Sequence, residues 1–199
     1  TSGYPNACLN KSIEDPAQAW NALTVGAYSI DSTIQPGRET KGYSPVAQYG
    51  ELSPYSSTSN EWKTQWPIKP EVVCDGGNVA SDGTNFIQGM DELSKLTLSK
   101  DINRRLFDTI WATSAATAQC SYISAELMAA YPSMRPETLR ALIVHSARWT
   151  TQMINQFGVP DTKTQGRKKL LRTCGYGVPN LEIAKDTLNN RVNMIVEGE

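Results

Sequence analysis

A serine among small residues is the position in this sequence best suited to covalent chemistry. Ser114 lies in the segment Ala112-Thr113-Ser114-Ala115-Ala116-Thr117-Ala118, at the predicted start of an amphipathic helix. The free N–H groups of a first helical turn, together with the helix dipole, stabilise negative charge that develops beside them. Small neighbours let a polypeptide backbone approach the hydroxyl group. Taken alone, the same pattern also fits a serine N-cap, which is the commoner role.

A nucleophilic serine needs a histidine to accept its proton and an acid to orient that histidine. The chain has one histidine, His145, which follows Ser114 and lies inside a second predicted helix. We expect it to be a surface or boundary residue of that helix, because its order and position do not suit a base. No serine lies in a G-x-S-x-G motif, so nothing supports an α/β-hydrolase.

The cysteines give no metal-site pattern. Cys8, Cys74, Cys120 and Cys174 are far apart, form no C-x-x-C pair and have no histidine near them in sequence. A Cys/His metal site is therefore not expected. Because Cys74 and Cys120 lie in apolar stretches, we predict free, buried thiols there, which favours a reducing compartment such as the cytoplasm.

The charge balance excludes some classes of partner. The 199 residues include 19 basic and 20 acidic ones, a formal net charge of −1, and this gives no electrostatic reason to expect nucleic acid or an anionic membrane as partner. The basic run in Gln165–Lys169 is predicted to be a solvated loop, since three basic residues are too few for a nucleic-acid footprint. No apolar run reaches transmembrane length.

Short apolar strands alternate with amphipathic helices, which predicts an α/β fold with a mostly parallel sheet. Residues 81–110 follow no clear period and are left unassigned. The predicted elements are strands at Ala22–Tyr28, Lys69–Cys74 and Val192–Val196, and helices from near Ser114 to before Pro132, from Pro136 to Ala147 and from Pro179 to Leu188, with a tight turn at Gly175-Tyr176-Gly177.

Several segments, taken together and in order, indicate a family resemblance more specifically than any one motif could. In chain order they are Val25-Gly26-Ala27-Tyr28-Ser29, Ser53-Pro54-Tyr55-Ser56, Lys69-Pro70-Glu71-Val72, Thr113-Ser114-Ala115-Ala116, Leu142-Ile143-Val144-His145-Ser146-Ala147 and Gly175-Tyr176-Gly177-Val178-Pro179-Asn180. Their types and order resemble the C-terminal half of the catalytic domain of subtilases, the subtilisin-like serine peptidases. The resemblance implies a three-layer fold, with a mostly parallel sheet flanked by helices, and residues 1–199 as the nucleophile-bearing half.

The same resemblance implies roles for two residues. Ser114 would be the nucleophile that hydrolyses peptide or protein substrates through an acyl-enzyme, and Thr113 would lie beside the oxyanion site. No metal ligand is assigned and no cofactor is expected. Subtilases often bind calcium near the loop after the V-G-A strand, but neither Asp31 and Glu39 nor the Asp75–Asn78 turn has the spacing of a calcium loop.

The remaining catalytic groups are expected upstream, because the subtilisin order is Asp, His, Ser. Neither a D-T/S-G nor an H-G-T motif occurs here, and Asn6 and Asn10 lack the glycine that precedes the family's oxyanion asparagine. We therefore expect the upstream half of the same polypeptide to complete the site, and the 199-residue chain alone to be inactive. A sheet divided in this way leaves apolar surface uncovered, so self-association of the fragment is a further hypothesis.

Two departures from the family pattern keep other hypotheses open. Ala112 stands where subtilases usually have Gly, and Ala118 where they usually have Pro. If position 112 required a positive φ, alanine there would cost about 1 kcal/mol or more. The alternatives are a non-catalytic binding module with the subtilase fold, and an unrelated α/β interaction domain in which Ser114 is only a cap.

Overall fold

The structure is a computed structural model that describes residues 3–37, 40–158 and 165–189. The described residues include a 3₁₀ turn at Asp91–Leu93. In chain order the elements are α1 (Asn6–Leu9), β1 (Val25–Tyr28), β2 (Ser44–Pro45), β3 (Val72–Asp75), β4 (Ala80–Ser81), β5 (Phe86–Ile87), β6 (Lys95–Leu98), β7 (Phe107–Ile110), α2 (Ala112–Ala130), α3 (Pro136–Ser146), α4 (Thr151–Phe157), α5 (Gln165–Cys174) and α6 (Leu181–Asn189).

Strands β1 and β3 form the parallel pair at the centre of the fold, with Val25 opposite Val72 and Ala27 opposite Cys74. All four residues of β3 are buried, as expected for a parallel strand covered on both faces. Both strands were predicted from short apolar runs, and the structure confirms them.

Successive residues of β3 face two separate hydrophobic cores. Val72 and Cys74 belong to a cluster with Ala116, Cys120 and Leu127 of α2, to which α3 and α6 also contribute. Val73 belongs to the other cluster, which contains residues of α4 and α5. Helices therefore flank both faces of the parallel pair, and the predicted α/β fold is confirmed.

Buried charges tie the starts of β1 and β3 to α3. The Lys69 ammonium is fully buried and donates to Glu71 Oε1 at 2.6 Å and to the Ala22 carbonyl at 2.7 Å. Glu71 also accepts from the Thr24 N–H at 2.7 Å and from Arg140 at 2.9 Å. The Lys-Pro-Glu segment is therefore structural, and it lies at the end of the strands opposite to Ser114.

Residues 81–110 contain short antiparallel elements. β4 pairs with β2 and β5 over two residues each, and β6 pairs with β7 in a four-residue hairpin. Two-residue strands are too short to show a period. This explains why the segment could not be assigned from sequence.

The loop predicted at Gln165–Lys169 is wrong, because α5 begins at Gln165. Arg167, Lys168 and Lys169 are exposed while Leu170 and Cys174 are buried, so the basic run is the outer face of an amphipathic helix. The predicted strand at 192–196 lies outside the described residues. The predicted turn is present, with φ of +56° at Gly175 and +104° at Gly177.

All four cysteines are free and buried, which confirms the thiols predicted at Cys74 and Cys120. In the part of the chain that the structure describes, no helix combines the length and apolar character needed to cross a membrane.

Candidate active site

Ser114 occupies the first turn of α2, and its side chain is exposed. The N-cap of this helix is Trp111 and no side chain caps it, so Ser114 is not the cap residue. No hydrogen bond of the Ser114 hydroxyl is found among the described residues. The hydroxyl group is therefore free to meet a ligand.

The turn before α2 is attached to the carboxyl end of β3. The Ala112 N–H donates to the Gly76 carbonyl at 2.8 Å, and Gly76 directly follows β3. Ligand sites of open parallel sheets lie at this end of the strands. The position of Ser114 therefore argues against an unrelated interaction domain in which the serine has only a structural role.

Ala112 has a φ of +65°, in the left-handed region. This is the position where subtilases usually have glycine, and an L-residue costs about 1–2 kcal/mol there. The close approach on the other side of the turn requires glycine at position 76. A Cβ on Gly76 would lie 2.6 Å from the Ala27 Cβ and 2.9 Å from the Ala112 carbonyl oxygen.

The first turn of α2 presents backbone donors without a counter-charge. The N–H groups of Thr113 and Ser114 have no acceptor among the described residues, as expected for the start of a helix. No acidic residue lies in this turn. Ala115 and Ala116 are buried and hold the turn against the core. The arrangement suits stabilisation of an oxyanion beside Ser114.

A cavity of about 240 Å³ lies beside Thr113. Gly26, Ser57 and Pro70 contribute to its walls, and Lys11 and Glu14 add one charge of each sign. A side chain or backbone bound there would lie next to the first turn of α2.

The sequence model of the Subtilase family (Peptidase_S8) matches residues 3–177. The chain belongs to the subtilase family. It is also 26% identical, over 206 residues, to the uncharacterized protein y4bN of Sinorhizobium fredii. That alignment covers 98% of this chain and 46% of y4bN, so the chain spans about half the length of this curated relative.

Lys95 bridges two carboxylates beside the helix start of this subtilase. Its ammonium forms ion pairs with Asp75, which is buried at the end of β3, and with Asp31 in the loop after β1. Burial by itself would lower the pKa of Lys95, but hydrogen bonds to Asp31 and Asp75 raise it above its ordinary value. The Asp75 carbonyl also accepts from the Gln119 side chain of α2 at 2.7 Å.

Sequence reasoning missed this cluster. Asp75 was recognised as a turn residue, and its side chain does accept from the Gly77 N–H at 3.0 Å. Lys95, however, lies in the unassigned segment, 20 residues further along the chain. The one signal in the sequence was Asp75 at the end of a predicted buried strand. A carboxylate buried in a core needs a nearby cation or several hydrogen-bond donors to offset the loss of water.

The other candidates lie apart from the subtilase serine. His145 is exposed in the last turn of α3, as predicted, and its ring makes no hydrogen bond to Ser114 in the described structure. Asn6 is the first residue of the short helix α1, Asn10 is its C-cap, and both are exposed. Thr113 therefore lies beside Ser114 in the first turn of α2, whereas His145, Asn6 and Asn10 make no hydrogen bond with the Ser114 hydroxyl in the described structure.

Within residues 3–37, 40–158 and 165–189, no three His, Cys, Asp or Glu side chains are grouped as metal ligands would be. Glu39 lies outside these residues. The Asn78 side chain is engaged in holding two loops together, because it accepts from the Ala47 N–H at 3.0 Å and donates to the Ala47 carbonyl at 2.7 Å.

Proposed function

We propose that this chain is the nucleophile-bearing half of a subtilisin-like serine peptidase that acts on peptide or protein substrates. The observation that carries the proposal is the Ser114 hydroxyl on the first turn of α2, which is exposed and has no hydrogen-bond partner in the described part of the chain. It lies at the carboxyl end of the parallel pair, in a chain of the subtilase family.

In the proposed reaction, Ser114 Oγ attacks the carbonyl carbon of the scissile peptide bond. A histidine accepts the hydroxyl proton and passes it to the leaving amine as the C–N bond breaks. Water then hydrolyses the ester on Ser114 and releases the acid product. In this proposal the Ser114 N–H would donate to the oxyanion, and Thr113 would border the space that the substrate carbonyl occupies.

We propose that the histidine, its aspartate and the oxyanion asparagine belong to an upstream part of the same polypeptide. Two facts support this proposal: Ser114 has no base among the described residues, and the chain corresponds to 46% of y4bN. The 199-residue chain alone is then expected to have no triad activity. The chemistry needs no cofactor, and the four free thiols favour a reducing compartment such as the cytoplasm.

A non-catalytic binding module is the second candidate. The observation in its favour is Ala112, which accepts left-handed strain where the family usually has glycine. In this candidate, the divergent Ala112 turn reflects lost selection for chemistry. The activity of the serine decides between the two candidates.

The test is labelling of the full-length polypeptide with a fluorophosphonate probe, which reacts with activated serines. The Ser114→Ala variant should lose the label. Ser121→Ala is the matched control, because Ser121 is exposed on the same helix and its hydroxyl only donates to the Thr117 carbonyl at 2.9 Å. Labelling that is lost in the first variant and kept in the second supports the peptidase. A folded full-length protein that takes no label favours the binding module.

A further inference from the structure

The hairpin β6–β7 exposes an unusual amount of apolar surface. Five large apolar side chains between positions 96 and 107 are more than half exposed: Leu96 (72%), Leu98 (77%), Ile102 (70%), Leu106 (65%) and Phe107 (53%). Single exposed apolar residues are ordinary, but contiguous groups of them mark interaction surfaces.

The strand register places three of these side chains on one face. Leu98 is opposite Phe107, and Leu96 is opposite Thr109 and two residues from Leu98, so Leu96, Leu98 and Phe107 point the same way. We call these three residues the hairpin face. The other face of β6 carries Lys95, whose ammonium is bound to Asp75. One face is thus anchored to the body of the protein, while the hairpin face is bare.

The end of the hairpin leads directly into the helix that carries the candidate nucleophile. β7 ends at Ile110, Trp111 follows as the N-cap of α2, and Ser114 lies in the first turn of that helix. A base must come within hydrogen-bond distance of the Ser114 hydroxyl in the catalytic complex. The polypeptide that carries this base must therefore pass over the surface next to the hairpin.

We infer that the hairpin face is the docking surface for the upstream part of the same polypeptide, the part that carries the histidine and aspartate. This inference rests on the proposed function. The alignment covers 46% of y4bN, so a protein of that length has room for a further part of about equal size. Burial of the hairpin face would also stabilise a two-stranded hairpin, which by itself is marginal in water.

The charges at the hairpin end specify the partner further. Arg105 is paired with Asp108 at 2.6 Å, whereas Lys100 and Arg104 form no ion pair within the described residues. The docking surface is therefore apolar with a basic end. The matching surface is expected to be apolar with acidic residues along one side.

The test is limited trypsin digestion of the full-length polypeptide in the Ser114→Ala background, so that no self-cleavage interferes. Lys100, Arg104 and Arg105 supply trypsin sites in the loop of the hairpin. If the hairpin face is covered, cleavage there is slow, and Leu98→Ser combined with Phe107→Ser accelerates it by about tenfold or more. Met128→Ser is the matched control, because Met128 is half exposed on the outer side of α2, and it should leave the rate unchanged.

Three outcomes overturn the inference. The double variant is cut no faster than the parent, the Met128 control accelerates cleavage equally, or protection disappears on dilution, which identifies a second copy as the occupant. Circular dichroism of each variant confirms that it is folded. Fluorophosphonate labelling of the polypeptide with Ser114 intact reports on the peptidase separately. Slow cleavage of the hairpin loop without fluorophosphonate labelling would support the docking surface and argue against the peptidase. Labelling together with rapid cleavage would support the peptidase and argue against the docking surface.

Discussion

Ala112 and Gly76 are joined by a backbone hydrogen bond of 2.8 Å, and this bond connects the end of β3 to the start of the helix that carries Ser114. The two residues are under opposite constraints. Gly76 has an ordinary φ but no room for a Cβ, whereas Ala112 has room but a left-handed backbone. The geometry of the turn before Ser114 therefore depends on Gly76, whose lack of a Cβ allows the close approach, and on Ala112, whose backbone is strained.

Ala112→Gly is expected to raise the free energy of unfolding by a few tenths to about 1 kcal/mol. Glycine relieves about 1–2 kcal/mol of left-handed strain, and the greater entropy of the unfolded chain offsets part of that gain. Urea denaturation measures the difference. Ala118→Gly is the matched control: Ala118 is exposed inside the same helix, so glycine there should destabilise by about 1 kcal/mol. Equal losses in both variants would show that position 112 is not strained.

The strands and the helix that position Ser114 could be predicted from the sequence, because each is encoded by a local pattern of apolar residues. β1 and β3 are short apolar runs, and α2 shows an apolar stripe that includes Cys120 and Leu127, both buried. Ser114 itself stood out through its small neighbours and through the order of segments around it. A left-handed position 112 was considered only as a condition, because subtilases usually have glycine there, and the structure supplies the φ of +65°.

The parts that sequence reasoning could not reach depend on tertiary contacts. The bond between Lys95 and Asp75 joins residues 20 positions apart, and the hairpin that carries Lys95 has strands of only four residues, too short for a clear period in the sequence. The start of α5 is basic and resembles a loop until Leu170 and Cys174 are seen against the core. Tertiary packing, rather than local propensity, determines both the Lys95–Asp75 contact and the helical state of α5.

Lys95→Met is expected to destabilise the protein by about 2–3 kcal/mol, because it leaves the buried Asp75 carboxylate without its cation. The loss is smaller than the 3–5 kcal/mol typical of a fully buried pair, since about a quarter (24%) of the Lys95 side chain reaches solvent. Chemical denaturation at pH 7 measures it. Lys95→Arg keeps the positive charge and should lose less. A Met variant as stable as the parent would mean that the pair contributes nothing.

The pH dependence of the stability difference between the parent and Lys95→Met tests whether the Lys95 charge causes it. The folded state raises the pKa of Lys95, so its stabilising effect is complete below the ordinary lysine pKa of about 10.5 and is lost as pH rises through the higher folded value. The difference in unfolding free energy between the parent and Lys95→Met should therefore be constant from neutral pH to about pH 9. It should shrink only in more alkaline solution. A difference that shrinks below pH 9 would assign the effect to another group.

The four thiols are expected to resist modification in the folded protein. Burial raises the pKa of Cys8 and Cys174, and the contact with the Cys120 thiol together with burial raises the pKa of Cys74. Thiolate is the reactive form, so ionisation is low at these three residues. The hydrogen bond with the Cys74 thiol lowers the pKa of Cys120, and that thiol is protected by its burial. A chromogenic disulfide reagent should titrate almost no thiol in buffer and four in denaturant. Ser121→Cys, at an exposed position, is the positive control and should add one fast-reacting thiol. Rapid reaction of the parent protein would show that the core around β3 and α2 opens easily.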